Sequence, residues 1–210
     1  ESALAQRPPD SRGALVSVDS IAIESSERTP LVRMSGFAVL GGGALVIADF
    51  SESNLRLHDR RGKLIQVVGR KGAGPGEFRA PVLPRVDANN RVHVADVALL
   101  RISIFESNKS ESRLTLAKTI SLNGAVRAIF GFERLANGDY LVAGVGGTGK
   151  HALFRLDSTG SVRSAYLEVL GYRRQAPSAE TEGLWQAITV PSVATDGRNA
   201  FVTLSTFDTL

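Results

Sequence analysis

The chain has 210 residues, 43% of them hydrophobic, with 25 Lys+Arg against 21 Asp+Glu, 21 Gly, one Trp and no Cys. That apolar share supports a packed core and excludes an intrinsically disordered chain, and no run approaches the roughly 18 apolar residues that cross a bilayer. Without Cys there are no disulfides, thiolate metal sites or cysteine nucleophiles, and the isolated His58, His93 and His151 form no histidine-rich metal motif. A net charge of +4 is too mild to imply nucleic acid by itself.

Taken in chain order, residues 1–13 are polar, carry Pro8 and Pro9, and lack any periodicity. They are expected to form a disordered tail or the remnant of a cleaved leader, with Ala3-Leu4-Ala5 fitting the small-x-small pattern of a signal-peptidase site. The expected location is therefore periplasmic or secreted. Ala14–Ile23 reads as a single strand. Four segments then share one pattern: a short apolar strand, a tight turn, and a more apolar second strand. These are Phe37–Leu40 with Ala44–Asp49, Pro84–Asp87 with Arg91–Asp96, Phe132–Leu135 with Asp139–Gly144, and Ser192–Thr195 with Asn199–Leu204. Aligning the second strands brings Ile47, Val94, Val142 and Val202 into register at spacings of 47, 48 and 60, the last stretched by the insert at 171–183.

Third strands follow at Leu55–Asp59, Ile102–Glu106 and Leu153–Asp157, and fourth strands at Lys63–Val68, Leu114–Leu122 and Val162–Leu170. Asp59–Gly62 and Asp157–Gly160 have the composition of tight hairpin turns, with Gly where a positive φ is needed. No window carries a helical stripe. Four antiparallel strands recurring at this period predict an all-β propeller, because one such sheet cannot bury both apolar faces unless neighbours stack around an axis. The expected blades are about 33–68, 79–122, 127–170 and a truncated 185–210. Residues 14–210 would then form an incomplete propeller domain, with strand 14–23 closing the last blade. About three and a half blades fall short of a closed ring, so roughly 100–150 further residues are expected.

Residues 69–106 resemble an NHL-type repeat through Gly74-Pro75-Gly76-Glu77-Phe78, Pro81, Val86-Asp87, Val94-Ala95-Asp96 and Arg101-Ile102-Ser103-Ile104-Phe105. The match continues more faintly over 37–69, and in the later units Gly144 and Leu204 replace the Asp that ends the second strand. The whole is similar to bacterial six-bladed propellers of the NHL/TolB-like kind. That resemblance implies a ring of six blades.

Several motifs invite chemistry. Gly144–Lys150 spells a phosphate loop, but a strand follows it where a helix is required and His151 stands in place of Ser or Thr, so a hairpin is expected. Asp49 and Asp96 could converge on a metal, yet carboxylates that recur at the repeat period predict loop caps accepting backbone N–H bonds. Glu182-Gly183-Leu184-Trp185 resembles the Glu-Gly-Pro-x-Trp opening of gluconolactonase-like propellers, without its Pro. Residues 51–91 hold nine Lys+Arg against four acids. RNA recognition would also want exposed aromatics, and Phe78, the aromatic of this stretch, is expected to be buried, so a solvated basic face is predicted and nucleic acid is not.

The best expectation is a non-catalytic propeller binding a protein, peptide or glycan, with no catalytic residues and no cofactor. Its candidate ligand residues are Arg33, Arg79, Arg85, Arg127 and Arg134, assigned to loops near the axis and suited to carboxylate or phosphate. The alternative is a metal-dependent propeller hydrolase or lyase, similar to gluconolactonases or peptide-amidating lyases, holding a divalent cation such as calcium on the axis.

Overall fold

The computed structural model describes residues 20–27, 29–169, 192–195 and 200–203. Among them there is no helix. Sheet 1 contains β1 (Met34–Val39), β2 (Leu45–Asp49), β3 (Asn54–His58) and β4 (Leu64–Val68). Sheet 2 contains β5 (Pro81–Val86), β6 (Val92–Asp96), β7 (Arg101–Ser107) and β8 (Leu114–Ser121). Sheet 3 contains β9 (Val126–Arg134), β10 (Tyr140–Gly146), β11 (His151–Leu156) and β12 (Val162–Val169). A two-stranded sheet pairs β13 (Ser192–Thr195) with β14 (Ala200–Thr203). Among the described residues every strand pairing is antiparallel and joins neighbours in sequence, which is the expected all-β blade.

Contacts between sheets run through their first strands: β1 meets β5, β5 meets β9, and β9 meets β13. These strands therefore line the axis. Ile47, Val94, Val142 and Val202 each occupy the third position of the second strand in their sheet, so the register read from the sequence holds. β2 and β6 are mostly apolar because both of their faces are covered, and they are buried at every residue.

The core lies between sheets. Val46, Ala48, Leu55 and Leu57 of sheet 1 pack on Val92, Val94 and Phe105 of sheet 2, with Phe78 of the link buried beside them. Ala95, Ile102 and Ile120 on the opposite face of sheet 2 pack on Phe132, Val142 and Phe154 of sheet 3. The face of sheet 1 turned away from sheet 2 still exposes Phe37, Val39, Ile65 and Val67.

Turn chemistry follows the sequence closely. Asp59 accepts N–H bonds from Arg61 and Lys63, Asp87 from Asn89 and Arg91, and Asp157 from Thr159 and Ser161. Gly62 and Gly160 take φ of 86° and 89°, and Asn90 takes the corresponding place at 60°. Gly144–Lys150 ends β10 and turns into β11, with the Gly146 N–H donating to the Lys150 carbonyl, as expected of a hairpin.

Residues 20–23 form no strand, while 1–19, which hold the expected tail and the start of the closing strand, lie outside the described residues. So does the Glu182–Trp185 motif. Residues 22–27 and 29–33 follow the margins of sheet 1. The Glu24 N–H donates to the Gly62 carbonyl, and Arg56 donates to the carbonyls of Thr29 and Pro30.

Candidate functional site

Antiparallel strands give the ring two ends: the top, where β1, β5 and β9 begin, and the bottom, where they finish. At the top of sheets 1 and 2 a buried aspartate fixes the approach to the axis. Asp49 accepts N–H bonds from Val32 at 2.9 Å, Arg33 at 3.2 Å, Ser51 at 3.1 Å and Glu52 at 3.2 Å. Asp96 accepts from Arg79 at 2.8 Å, Ala80 at 3.2 Å, Ala98 at 3.1 Å and Leu99 at 3.0 Å. Each carboxylate joins the segment leading to the axis with the hairpin after its own strand. Asp49 and Asp96 are caps, as their recurrence predicts.

The five candidate arginines separate into two groups. Arg33 and Arg79 precede β1 and β5, and Arg127 is the second residue of β9, so all three stand at the top, exposed. The Arg33 guanidinium lies over the Phe50 ring at 4.6 Å. Among the described residues the guanidinium groups of Arg79 and Arg127 have no partner. Arg85 and Arg134 belong to the bottom, because each sits at or next to the last residue of its strand. Arg85 is held by Glu133 at 2.6 Å and 2.8 Å, and Arg134 covers the Tyr140 ring at 4.6 Å while donating to the Asp139 carbonyl. The five expected arginines therefore divide between the ends, three at the top and two at the bottom.

The basic stretch 51–91 does not form one solvated face. Strand reversal sends Arg60, Arg61 and Lys63 to the bottom and Arg70, Lys71 and Arg79 to the top, while Arg56 is only 2% exposed. Burial of Arg56 follows from its place between Leu55 and Leu57 in a strand covered on both faces; the carbonyls of residues 29 and 30 accept from its two terminal nitrogens, and the buried Asp49 carboxylate lies 3.9 Å from its Nε. Arg101 serves sheet 2 similarly, donating to the carbonyls of Ala73, Gly74 and Glu77. Neither clamp is evident from charge alone. The usable sign was an arginine alternating with, or opening, an apolar third strand.

The electrostatics of the two ends differ. Bottom turns carry their own carboxylates: Asp59, Asp87 and Asp157 lie beside Arg61, Arg91 and Arg163. At the top Asp49 and Asp96 are buried, and the exposed acid Glu52 stands with Glu77, which is paired to Arg70 at 2.9 Å. The Gly74 N–H and then Arg70 hold the Glu77 carboxyl below its ordinary range. Among the described residues, Arg33, Arg79 and Arg127 thus lend the top positive charge that is in no ion pair with a carboxylate.

A buried relay joins sheets 2 and 3 near the bottom. His93 Nε2 lies 3.1 Å from Asp87 Oδ2 and Nδ1 lies 2.9 Å from the Tyr140 hydroxyl. One partner, Asp87, is local in sequence, and the other, Tyr140, reaches across the sheet joint. Burial pushes the His93 pKa down, against the pull of Asp87. Burial also works against the Asp87 carboxylate, but bonds from Arg91 and His93 outweigh it and hold the group at about 2. Tyr140 is pushed up to about 12 by burial. At 1% exposure for His93 and for Tyr140 the relay is closed to substrate and acts as a fastener.

Residues 12–123 match the family described as a 6-bladed beta-propeller. This chain belongs to that family. No curated protein matches the sequence. Among solved structures, a presumed exported protein from Bacteroides fragilis aligns with a TM-score of 0.57 at 18% identity, over 71% of this chain and 42% of that one. Virginiamycin B lyase from Staphylococcus aureus aligns with a TM-score of 0.54 at 15% identity, over 81% of this chain and 48% of that one. This chain spans less than half the length of either, and at such identities the likeness is one of fold. In a 6-bladed propeller, equivalent positions on adjacent blades repeat at one height and one distance from the axis. Arg79 and Arg127 are such a pair, since Pro81 faces Asp96 and Ile129 faces Gly144, the same place in the repeat.

Proposed function

We propose that this propeller is a non-catalytic, extracytoplasmic binding module whose top end receives an anionic ligand. The observation that carries this role is the placement of Arg33, Arg79 and Arg127, one per sheet, beside the strands that line the axis. Arginine suits oxyanions because its planar fork meets carboxylate or phosphate with two bonds. Ala3-Leu4-Ala5 and the similarity to a presumed exported protein support location outside the cytoplasm. Among the described residues no three His, Asp or Glu side chains come together as metal ligands, so a metal-dependent lyase or hydrolase would draw its site from other residues.

The test is fluorescence anisotropy with labelled polyglutamate and polyglucuronate, comparing the protein with the Arg79→Gln/Arg127→Gln variant. At least one probe is expected to bind, and the double variant to weaken it by about tenfold or more. Equal binding by both proteins, or no binding to either probe, would remove the top end from consideration. Elemental analysis of the purified protein separates the enzyme class, for which a stoichiometric divalent ion is required.

A further inference from the structure

Resting on that role for the top end, we infer that its ligand is an acidic polypeptide segment that meets successive blades with successive carboxylates. The repeat supplies the multivalency. Arg79 and Arg127 occupy equivalent positions, both are exposed, and among the described residues neither guanidinium has a partner. In a 6-bladed ring the separation of two such neighbours equals their distance from the axis, by the geometry of a hexagon. A chain crossing the top near the axis therefore passes one guanidinium on sheet 2 and the next on sheet 3.

Arg33 adds a third contact of a different kind. Its guanidinium rests on Phe50 at 4.6 Å. That contact lowers the freedom it loses on binding, so it acts as the fixed fork while the guanidinium groups of Arg79 and Arg127 adjust.

Aromatic placement decides between polypeptide and acidic sugar chain. Sugar rings and nucleobases are held by stacking on open aromatic faces. Among the described residues the phenylalanine rings toward the top are already engaged: Phe50 lies under Arg33, Phe78 is fully buried, and Phe130 stacks on His151 at 5.5 Å. What remains is guanidinium and backbone, which suit carboxylates on a flexible chain.

The experiment titrates the protein with labelled hexaglutamate, with hexaglucuronate of equal charge, and with free glutamate as competitor. Hexaglutamate is expected to bind more tightly than hexaglucuronate and to resist free glutamate at matched carboxylate concentration. Arg79→Gln and Arg127→Gln are each expected to weaken it by about fivefold, and the double variant by about their product. Circular dichroism of each variant checks that the sheets persist, and Arg79→Lys, which keeps charge but loses the fork, should fall between. Tighter hexaglucuronate binding with the same arginine dependence would overturn the polypeptide assignment and leave the anionic top end standing. Competition by free glutamate equal to that by the hexamer would overturn multivalency. Binding indifferent to both arginines would overturn the inference together with the role on which it rests.

Discussion

In sheets 1 and 2 the strand nearest the axis begins against a buried carboxylate; in sheet 3 it begins against a glycine. Asp49 and Asp96 gather four N–H groups each, spanning a gap between the incoming segment and the second strand. Sheet 3 closes that gap with backbone. β9 runs nine residues where β1 and β5 run six, and a Cβ on Gly144 would stand 2.2 Å from the Ala128 carbonyl oxygen. The loss of Asp at this point of the repeat is thus a change of fastening. It shows that a repeat can lose its signature residue and keep its geometry when the neighbouring strand moves into the space.

The largest test of this contrast is Asp96→Ala. Four buried or half-buried N–H groups lose their acceptor, and at about 1–3 kcal/mol for a fully buried unsatisfied donor the expected loss is ~3–5 kcal/mol, read from urea denaturation. Asp96→Asn keeps one acceptor oxygen and should lose roughly half as much. A loss below about 1 kcal/mol for the alanine variant would mean that the carboxylate does not hold the link.

Transplanting the fastener is the next test. Gly144→Asp restores the repeat's consensus, yet its Cβ meets the Ala128 carbonyl before its carboxylate can reach any N–H. We expect destabilisation of about 2–3 kcal/mol, nearly the same for Gly144→Ala, because the clash resides in the Cβ they share. If Gly144→Asp proved clearly more stable than Gly144→Ala, sheet 3 would still accommodate the aspartate staple.

The comparison also bears on what the sequence could reveal. Strand register was legible because apolar alternation and Gly/Asp turns are local, and Ile47, Val94, Val142 and Val202 kept their place. Asp49 and Asp96 were legible as caps because structural devices recur with the repeat. The site was less so. Arg85 and Arg134 share the composition of Arg33, Arg79 and Arg127, but their place at the far end of a strand and their partners Glu133 and Tyr140 depend on strand length and on the next sheet. Arg56 was hidden for a related reason: a charge inside an apolar strand is explained by carbonyls contributed from 26 and 27 residues away in sequence together with the buried Asp49 carboxylate at 3.9 Å.

The joints between sheets should respond differently to acid. Sheets 2 and 3 share His93, which Asp87, Arg91, Arg134 and Tyr140 surround and which burial keeps neutral in the folded protein. Its folded pKa lies below that of the unfolded chain, about 6.5. Its contribution is therefore fully present above that pH and is lost as the pH falls below it, because the unfolded state binds the proton first. Asp87, held at about 2, contributes fully above the unfolded pKa of about 3.9 and loses its effect only as the pH falls towards 2. Denaturation midpoints between pH 8 and pH 5 should therefore decline, and His93→Gln should flatten that slope. An unchanged slope in the variant would assign the decline to another group.

The joint between sheets 1 and 2 has an uncharged counterpart, and it carries the smallest expected effect. The Gln66 side chain accepts the Leu114 N–H at 2.8 Å and donates to the Leu114 carbonyl at 3.3 Å. Gln66→Ala removes both bonds from a half-buried site and should cost about 1 kcal/mol at every pH. Gln66→Glu is the more informative change. As a carboxylate it keeps the acceptor but faces the Leu114 carbonyl without a donor, and as a carboxylic acid it restores both bonds. Its folded pKa is then raised above the unfolded value of about 4.3, so the restored stability is present below that value and is lost as the pH rises through the folded pKa. One substitution would thus give the sheet 1–2 joint a pH response opposite in sign to that of the His93 joint. A Gln66→Glu protein whose stability relative to the unsubstituted protein does not fall on raising the pH would show that the Leu114 backbone pair is not what the amide holds.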